Sequence, residues 1–258
     1  MLDITPQDLQ AVFATKYGAP PLAVGWGPRI RSKFGYFTPD EHYEAVVSRL
    51  VGPGCTWLDV GCGRNVFVNN RALAKNLASR CRLLVGVDPD DTIDENDVVH
   101  ERVKQPIETF RTERTFDLVT LRMVAEHVTD PEGTVATLAR LTKPGSRVVI
   151  YTINRWSPVP IVTWLTPFQL HHLPKRLLWG TEPKDTFPVA YRINTRRALR
   201  RVFGAGGFRE SEFGYLDDCR TLARFRATLI AELSLWRCLR ALGLRYPEQC
   251  LLGVYQRT

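Results

Sequence analysis

The chain has 258 residues, enough for one globular domain with additions or for two small domains. A charged fraction of 24% and a hydrophobic fraction of 44% exclude a disordered chain. The sequence has no run of about 18 uncharged apolar residues and no basic, then apolar leader, so we expect neither a transmembrane helix nor a signal peptide. None of the six cysteines forms a CxxC pair, which predicts reduced thiols in a cytoplasmic protein.

The positive charge is unevenly distributed along the chain. Lys and Arg number 35 against 27 Asp and Glu, a net charge of +8. Residues 1–150 carry a net −1 and residues 151–258 a net +9, so the excess lies in the second part. Such an excess is typical of proteins that contact nucleic acid, an anionic membrane surface or an anionic substrate. An arginine-rich composition without any such partner explains it equally well.

Short apolar strands alternate with helices through the first 150 residues. Apolar runs bounded by turn residues predict strands at Thr56–Val60, Arg82–Asp88, Val98–Val103, Phe116–Leu121 and Ser146–Ile153. Helices are predicted at Tyr43–Leu50, at Asn70–Ser79 and from Pro131, with Asp130 as the N-cap. This alternation predicts a parallel sheet with helices on both faces.

Two features at the ends of the first two strands indicate a ligand site. Gly61-Cys62-Gly63 follows the first strand and Asp88 ends the second, and ligands of such sheets bind at the carboxyl ends of the strands. A dinucleotide fingerprint needs a third glycine, where this chain has Val66. Asp59, two residues before the first glycine, favours a ligand with a cationic group, such as an amino group, over a pyrophosphate.

Four motifs in order resemble class I S-adenosylmethionine-dependent methyltransferases, over about residues 40–153. They are Trp57–Gly63, Val85–Asp88, Phe116–Val119 followed by Glu126–Val128, and Leu141–Ile150. The resemblance implies a single domain with a Rossmann-like seven-stranded sheet, one strand of which, the last, is antiparallel. It also implies S-adenosylmethionine as the cofactor, with S-adenosylhomocysteine as the product. A Rossmann-like domain that binds another ligand is the alternative.

The resemblance also implies which residues bind the cofactor. The backbone at Gly61, Cys62 and Gly63 would contact the methionine and ribose parts, and Asp59 would lie near the amino end. Asp88 would bind the ribose diol. Pro89 would lie beside adenine, and Ile107 falls where the family often has a carboxylate. Leu121 and Arg122 would contact the methionine part through their backbone.

His127 is the candidate catalytic base, because it follows the fourth strand and imidazole titrates near neutral pH. The alternative is that it only orients its loop. Glu126-His127-Val128 also resembles the ubiquinone O-methyltransferases, in which two acids and a histidine gather a metal. Here Met123 occupies the position of the first acid, so we expect no metal.

The acceptor is the least defined part of the prediction. The Asn/Asp-Pro-Pro-Tyr-like and Pro-Cys motifs of nucleic-acid methyltransferases are absent after the fourth strand, which disfavours nucleic acid as a partner. We expect O-methylation of a small-molecule, glycan or lipid-linked acceptor, which could be anionic. N- or C-methylation of a natural product, or a non-catalytic nucleotide-binding module, are the alternatives, and the oligomeric state is open.

Four segments make up the predicted domain. Residues 1–40 form an N-terminal arm or flap, 41–153 the cofactor core, 154–193 an acceptor lid, and 194–258 the closing strands with a helical insertion at 217–247. The lid carries His171 and His172, which could act as an acceptor-side base or as anion ligands. Loop histidines that do neither are more common.

The closing segment is predicted to contain two helices and two strands. They are the helices Arg196–Phe203 and Arg220–Leu244 and the strands Phe208–Leu216 and Leu251–Arg257. The longer helix has an apolar stripe decorated with arginines. It is either a packing helix with a solvated arginine face or a contact for a lipid-like acceptor or a membrane surface.

Overall fold

A computed structural model describes residues 1–20, 22–158, 160–161 and 189–258. Most of the predicted lid therefore lies outside the described residues, His171 and His172 with it. Within the described residues no helix is long and apolar enough to cross a membrane.

One seven-stranded sheet organises the chain. Its strands are β1 (Thr56–Val60), β2 (Leu83–Val87), β3 (Glu101–Val103), β4 (Phe116–Arg122), β5 (Thr142–Ile153), β6 (Phe208–Asp217) and β7 (Glu248–Arg257). Their order across the sheet is β3-β2-β1-β4-β5-β7-β6. The pairs β1–β2, β1–β4, β2–β3 and β4–β5 are parallel, whereas β7 runs antiparallel to both β5 and β6. The predicted Rossmann-like sheet with an antiparallel last strand is confirmed.

Helices cover both faces of this sheet. They are α1 (Pro6–Tyr17), α2 (Trp26–Phe34), α3 (Pro39–Leu50), α4 (Arg71–Arg80), α5 (Pro131–Arg140), α6 (Arg196–Ala205) and α7 (Arg226–Ala241), with short 3₁₀ turns at Asp91–Glu95 and Ile107–Thr109. Residues of α1, α3 and α4 share one apolar core with the sheet. Residues of α5 and α6 share a second core with it. The sheet, with the carboxyl ends of its parallel strands, therefore lies between two layers of helices.

Helix starts follow their capping residues. Asp130 accepts a hydrogen bond from the Gly133 N–H at 3.0 Å and caps α5 as predicted. Helix α3 begins at Pro39, four residues before the predicted start, because Thr38 and Glu41 form a reciprocal capping box. This earlier start places the first turn of α3 beside the end of β4.

The helix predicted over Arg220–Leu244 is shorter, and the prediction of its bounds was wrong. Helix α7 occupies only Arg226–Ala241. Before it, the Leu222 N–H donates to the Glu232 carboxylate at 3.0 Å, so the preceding segment folds back against the helix. After it, Gly243 has a φ of +70°, a conformation that ends the helix.

Helices α2 and α7 pack on each other through a small third apolar cluster. Tyr36, Leu229, Leu233 and Trp236 are buried in it, and Tyr36 and Trp236 contact edge to face with centroids 5.1 Å apart. The packing interpretation of this helix is therefore correct for its buried face. The N-terminal arm is consequently joined to the segment between β6 and β7.

The Tyr36 hydroxyl is expected to stabilise this junction. It donates to the Asp217 carbonyl at 3.0 Å and accepts from the Cys219 N–H at 2.8 Å, so Tyr36→Phe leaves two backbone groups without their partner. We expect a loss of about 1–3 kcal/mol in the free energy of unfolding, measured by urea denaturation. Tyr255→Phe is the matched control, since in the described part of the chain that buried hydroxyl has no hydrogen-bond partner and its removal should cost nothing. Equal losses in both variants would contradict the assignment.

Candidate active site

The turn after β1 requires a glycine at its first position. Gly61 has a φ of +69°, and a Cβ there would lie 2.3 Å from a methyl carbon of Val124. Its N–H donates to the Val87 carbonyl at 2.8 Å, while the Gly63 carbonyl accepts from the Asn96 amide at 3.0 Å. Only glycine meets these conditions at position 61, and the turn is fixed from both sides.

Cys62 packs its side chain into the core. It is 4% exposed, and a Cβ added to Gly86 on the neighbouring strand would lie 2.6 Å from its sulfur. Burial raises the pKa of the Cys62 thiol far above its ordinary value. Any contact of Cys62 with a ligand is therefore limited to its backbone, as the sequence predicts.

Both carboxylate oxygens of Asp88 can accept a further hydrogen bond. Oδ2 accepts from the Gly63 N–H and Oδ1 from the Asp90 N–H, both at 2.8 Å. Because each carboxylate oxygen offers about two lone-pair sites, one remains on each for a further donor. A vicinal diol would supply two such donors, and the pairing of Asp88 with a ribose stays a prediction.

Asp59 is a buried carboxyl in a chain of hydrogen bonds. Its Oδ1 accepts from the Thr120 hydroxyl at 2.6 Å, and Thr120 accepts in turn from the Trp57 indole N–H at 2.7 Å. Burial raises the pKa of Asp59 to about 7, although Thr120 and the charge of Arg122 oppose the rise. An ammonium group of a ligand would stabilise its ionised form.

The other predicted cofactor contacts differ in how far they are buried. Leu121 and Ile107 are buried in the α5–α6 core. Pro89 is exposed at the end of β2, and Arg122 is half-buried at the end of β4. Arg122 also lines a cavity that is described below.

His127 lies in the turn after β4, half-buried, with its N–H donating to the Val124 carbonyl at 2.9 Å. Next to it the Glu126 carboxylate is buried and accepts from the Thr152 hydroxyl at 2.7 Å, and Asn194 donates to Thr152 at 2.7 Å. Burial raises the pKa of Glu126. In the described parts of the chain, no group of three or more metal-ligating side chains assembles, here or elsewhere.

A cavity of about 320 Å³ opens at the carboxyl ends of β4 and β5. Its lining includes Asp40, Arg122, Met123, Tyr151, Ile153, Ser157, Asp218, Arg220, Gln249 and Cys250. Met123 has a φ of +53°, and such strained backbone clusters at functional sites. His127 is not among the lining residues.

Four charged side chains of opposite sign meet in the lining of this cavity. They are Asp40, Arg122, Asp218 and Arg220. Arg220 makes a two-pronged contact with Asp218 at 2.6 and 2.8 Å and donates to Asp40 at 2.9 Å. Arg122 lies 3.9 Å from the other oxygen of Asp40. Burial acts to raise the pKa of Asp40, but the two guanidinium groups hold it below its ordinary value. Asp40 is therefore ionised and already engaged.

Sequence reasoning missed three residues of this arrangement. Thr120 supports Asp59 across the β1–β4 pair, and Asp40 and Arg220 meet although 180 positions separate them. The position of Thr120 two residues before Arg122, on the same face of β4, is a signal that the sequence contained. The Asp40–Arg220 contact has no local signal.

The sheet order, the glycine turn after β1 and the carboxylate at the end of β2 together define a Rossmann-like methyltransferase. The family described as "Methyltransferase domain" matches residues 34–210. The chain belongs to this family. The predicted methyltransferase class is thereby confirmed.

Curated relatives match only part of this chain. A ubiquinone biosynthesis O-methyltransferase of Saccharophagus degradans is 33% identical over 108 residues, 38% of this chain and 43% of that protein. One of Xanthomonas oryzae pv. oryzae is 35% identical over 115 residues, 43% of this chain and 48% of that protein. The chain thus spans less than half the length of these two curated relatives.

Solved structures share the fold. The magnesium protoporphyrin IX methyltransferase of Synechocystis PCC 6803 has a TM-score of 0.53 at 14% identity, over 91% of this chain and 89% of that one. A SAM-dependent methyltransferase of Methanosarcina mazei has a TM-score of 0.51 at 13% identity, over 82% of this chain and 96% of that one. At these identities the likeness concerns the fold alone.

Proposed function

We propose that this methyltransferase transfers the methyl group of S-adenosylmethionine to an oxygen of a small-molecule, glycan or lipid-linked acceptor. The observation that carries the proposal is the cavity at the ends of β4 and β5, which begins at Arg122 beside the predicted methionine site. Its volume suits a small organic group. The similarity to ubiquinone O-methyltransferases supports oxygen as the methylated atom.

The residues present fit the cofactor. Asp88 has a lone pair on each oxygen for a diol, and Asp59 is a buried carboxyl suited to an ammonium. The bound cofactor supplies a methyl group already activated on a sulfonium. The protein has to align the acceptor with it and to accept the acceptor's proton.

Within the cavity, Ser157 supports the binding of a polar acceptor. Its hydroxyl oxygen is buried and has no hydrogen-bond partner among the residues that the structure describes, an arrangement that is costly unless another group completes it. The cavity floor is apolar at Ile153 and Cys250, so an acceptor with an apolar body and a polar head fits best. A lipid-linked acceptor gains support from Phe225 and Leu235, which are 63% and 55% exposed on the α7 side.

The first experiment is calorimetry with S-adenosylmethionine and S-adenosylhomocysteine, followed by incubation of a metabolite extract with methyl-labelled cofactor. Mass spectrometry of the labelled product identifies the methylated atom. Binding of the cofactor without methyl transfer to any extract component would favour the non-catalytic module. A product labelled on nitrogen or carbon would contradict O-methylation and assign the enzyme to that atom instead. Peripheral membrane contact and a cytoplasmic location stay predictions.

We propose His127 as the base that accepts the acceptor's proton. His127→Ala is expected to lower kcat about a hundredfold, the usual contribution of a positioned base, with the affinity for S-adenosylhomocysteine unchanged. His100→Ala is the control, since His100 lies in the loop before β3, on another strand connection, where its ring accepts from the Leu84 N–H at 3.0 Å. A loss of only a few-fold in His127→Ala would make its role that of orienting the loop.

A further inference from the structure

The side of α7 that faces solvent is apolar. At about 100° per residue, its exposed and uncharged positions lie on one arc, away from the residues that pack against α2. Ile230, Leu235 and Leu242 are 44%, 55% and 67% exposed on this arc. Surface helices normally present charged and polar side chains to water, so this arc is suited to an apolar environment. The arc, here called the outer face, consists of Ala227, Ile230, Ala231, Ser234, Leu235, Cys238, Ala241 and Leu242.

Arginines border the outer face along one edge. Arg226, Arg237 and Arg240 lie between the outer face and the side packed on α2, within roughly 60° of one another around the helix. All three side chains are exposed. Arg226 and Arg240 lie over the rings of Trp26 and Trp236. An aromatic ring does not neutralise a guanidinium, so this arginine edge carries three positive charges.

The helices α2 and α7 present no negative charge to balance these arginines. The one acid of α7, Glu232, is 4% exposed and accepts from the Leu222 N–H at 3.0 Å and from the Tyr246 hydroxyl at 2.9 Å. Helix α2 contains no acid, and its Arg29 and Lys33 are exposed. The surface that these two helices form is therefore both apolar and positively charged.

A second copy of this chain is a poor partner for this surface. Helix α7 has 16 residues, so its exposed side is about 24 Å long and about 10 Å wide. A stable dimer buries about 800 Å² on each partner, several times the area of that strip. Two copies in contact would also bring their arginine edges together. An anionic bilayer needs no matching shape, and it accepts apolar side chains while its phosphates attract arginines.

We propose that the outer face of α7 and its arginine edge bind the surface of a membrane that contains anionic lipids. Helix α7 lies in the plane of the headgroups, with its apolar side chains at the acyl boundary and its arginines at the lipid phosphates. Asp218 and Arg220 of the cavity lining belong to the segment between β6 and α7, so the cavity adjoins this face along the chain. The inference deepens the proposed function, and it rests on that function only for a lipid-linked acceptor.

The test is flotation of the full chain with vesicles of phosphatidylcholine alone or mixed with phosphatidylglycerol. Binding should be about ten- to a hundredfold tighter to the mixed vesicles, and it should weaken steeply when the salt concentration is raised. Leu235→Ser should weaken that binding about tenfold, because an apolar side chain no longer enters the acyl boundary. Arg237→Gln should weaken it about fivefold, the share of one cation near an anionic surface. Both residues are exposed, so folding should be unchanged in thermal denaturation.

The matched controls remove the same kinds of side chain elsewhere on the surface. Val68→Ser changes an exposed apolar residue before α4, and Arg147→Gln an exposed arginine of β5, toward the end of that strand remote from the cavity. Both controls should bind the mixed vesicles as the wild type does.

Three results would overturn the inference. They are equal or absent binding of the wild type to the two kinds of vesicle, losses in the controls as large as in the α7 variants, and a dimer in sedimentation velocity that Leu235→Ser dissociates. The last result would assign the outer face to a second copy of the chain. Calorimetry with S-adenosylhomocysteine on the same samples keeps the two proposals apart. Cofactor binding without vesicle binding overturns the membrane inference alone, whereas vesicle binding without cofactor binding overturns the proposed function.

Discussion

Asp88→Ala is expected to lower the affinity for S-adenosylhomocysteine by about 3 kcal/mol, roughly 150-fold. Both carboxylate oxygens already accept one backbone N–H each, from Gly63 and Asp90, which fixes the carboxylate in place. The remaining lone pairs are available to the two ribose hydroxyls, and a hydrogen bond to a charged group contributes about 1.5–3 kcal/mol. Calorimetry with the product avoids any dependence on the unknown acceptor.

Asp90→Ala separates the loss of ribose contacts from damage to the turn. Asp90 lies in the same turn and accepts from the Thr92 N–H at 2.8 Å, so its removal disturbs the start of the Asp91–Glu95 turn. We expect its affinity to stay within a few-fold of the wild type. Wild-type affinity in Asp88→Ala would show that the ribose binds elsewhere, and equal losses in both variants would indicate a general effect on the turn.

The core of the fold was predictable because its signals are local. The strand β1 occupies Thr56–Val60 as predicted, since an apolar run ends at a glycine that the backbone requires. Alternation of strands and helices makes the strands parallel, so the ends of β1 and β2 share one edge. This is why the proximity of Gly63 and Asp88, a hydrogen bond of 2.8 Å, could be expected from the sequence.

Other parts depended on contacts that a sequence does not display. The start of α3 at Pro39 was available from the capping box of Thr38 and Glu41, but it lies before the apolar periodicity that was used. The start of α7 has no such signal. Arg220 is drawn away from the helix by Asp218 and by Asp40, which is distant in sequence, so the apolar period continues where the helix does not.

The candidate site divides in the same way. The residues that its motifs contain, Asp59 and Asp88, were identified from type and spacing. The partners that set their properties depend on strand register, as the hydrogen bond from Thr120 to Asp59 shows. Arg122 was named from its position after the fourth strand, but its contact with Asp40 became visible only in the structure. The sequence therefore indicated where the charged side chains of the site lie along the chain. Which of them are already paired within the protein depends on packing.

The affinity for S-adenosylmethionine is expected to rise about a hundredfold between pH 5 and pH 7 and to level off above that. Burial raises the pKa of Asp59 from its ordinary value of 3.8 to about 7 in the free protein. An ammonium group binds the ionised carboxylate, so below pH 7 binding must first release the proton, at up to tenfold per pH unit. Thr120→Val removes a hydrogen bond that favours the ionised form, and should move the midpoint to higher pH.

Asp59→Asn is the decisive variant for this pH dependence. The native protein keeps a proton on Asp59 that the unfolded chain releases near pH 4, so this carboxyl lowers the free energy of unfolding as pH rises from about 4 to about 7. Asparagine removes that slope and the penalty of a buried charge, so the variant should be at least as stable as the wild type above pH 7. Its cofactor affinity should fall roughly 150-fold or more and lose its pH dependence, since a buried ammonium then has no anion. A wild-type slope that persists in Asp59→Asn would assign the titration to another group and refute the ammonium site at Asp59.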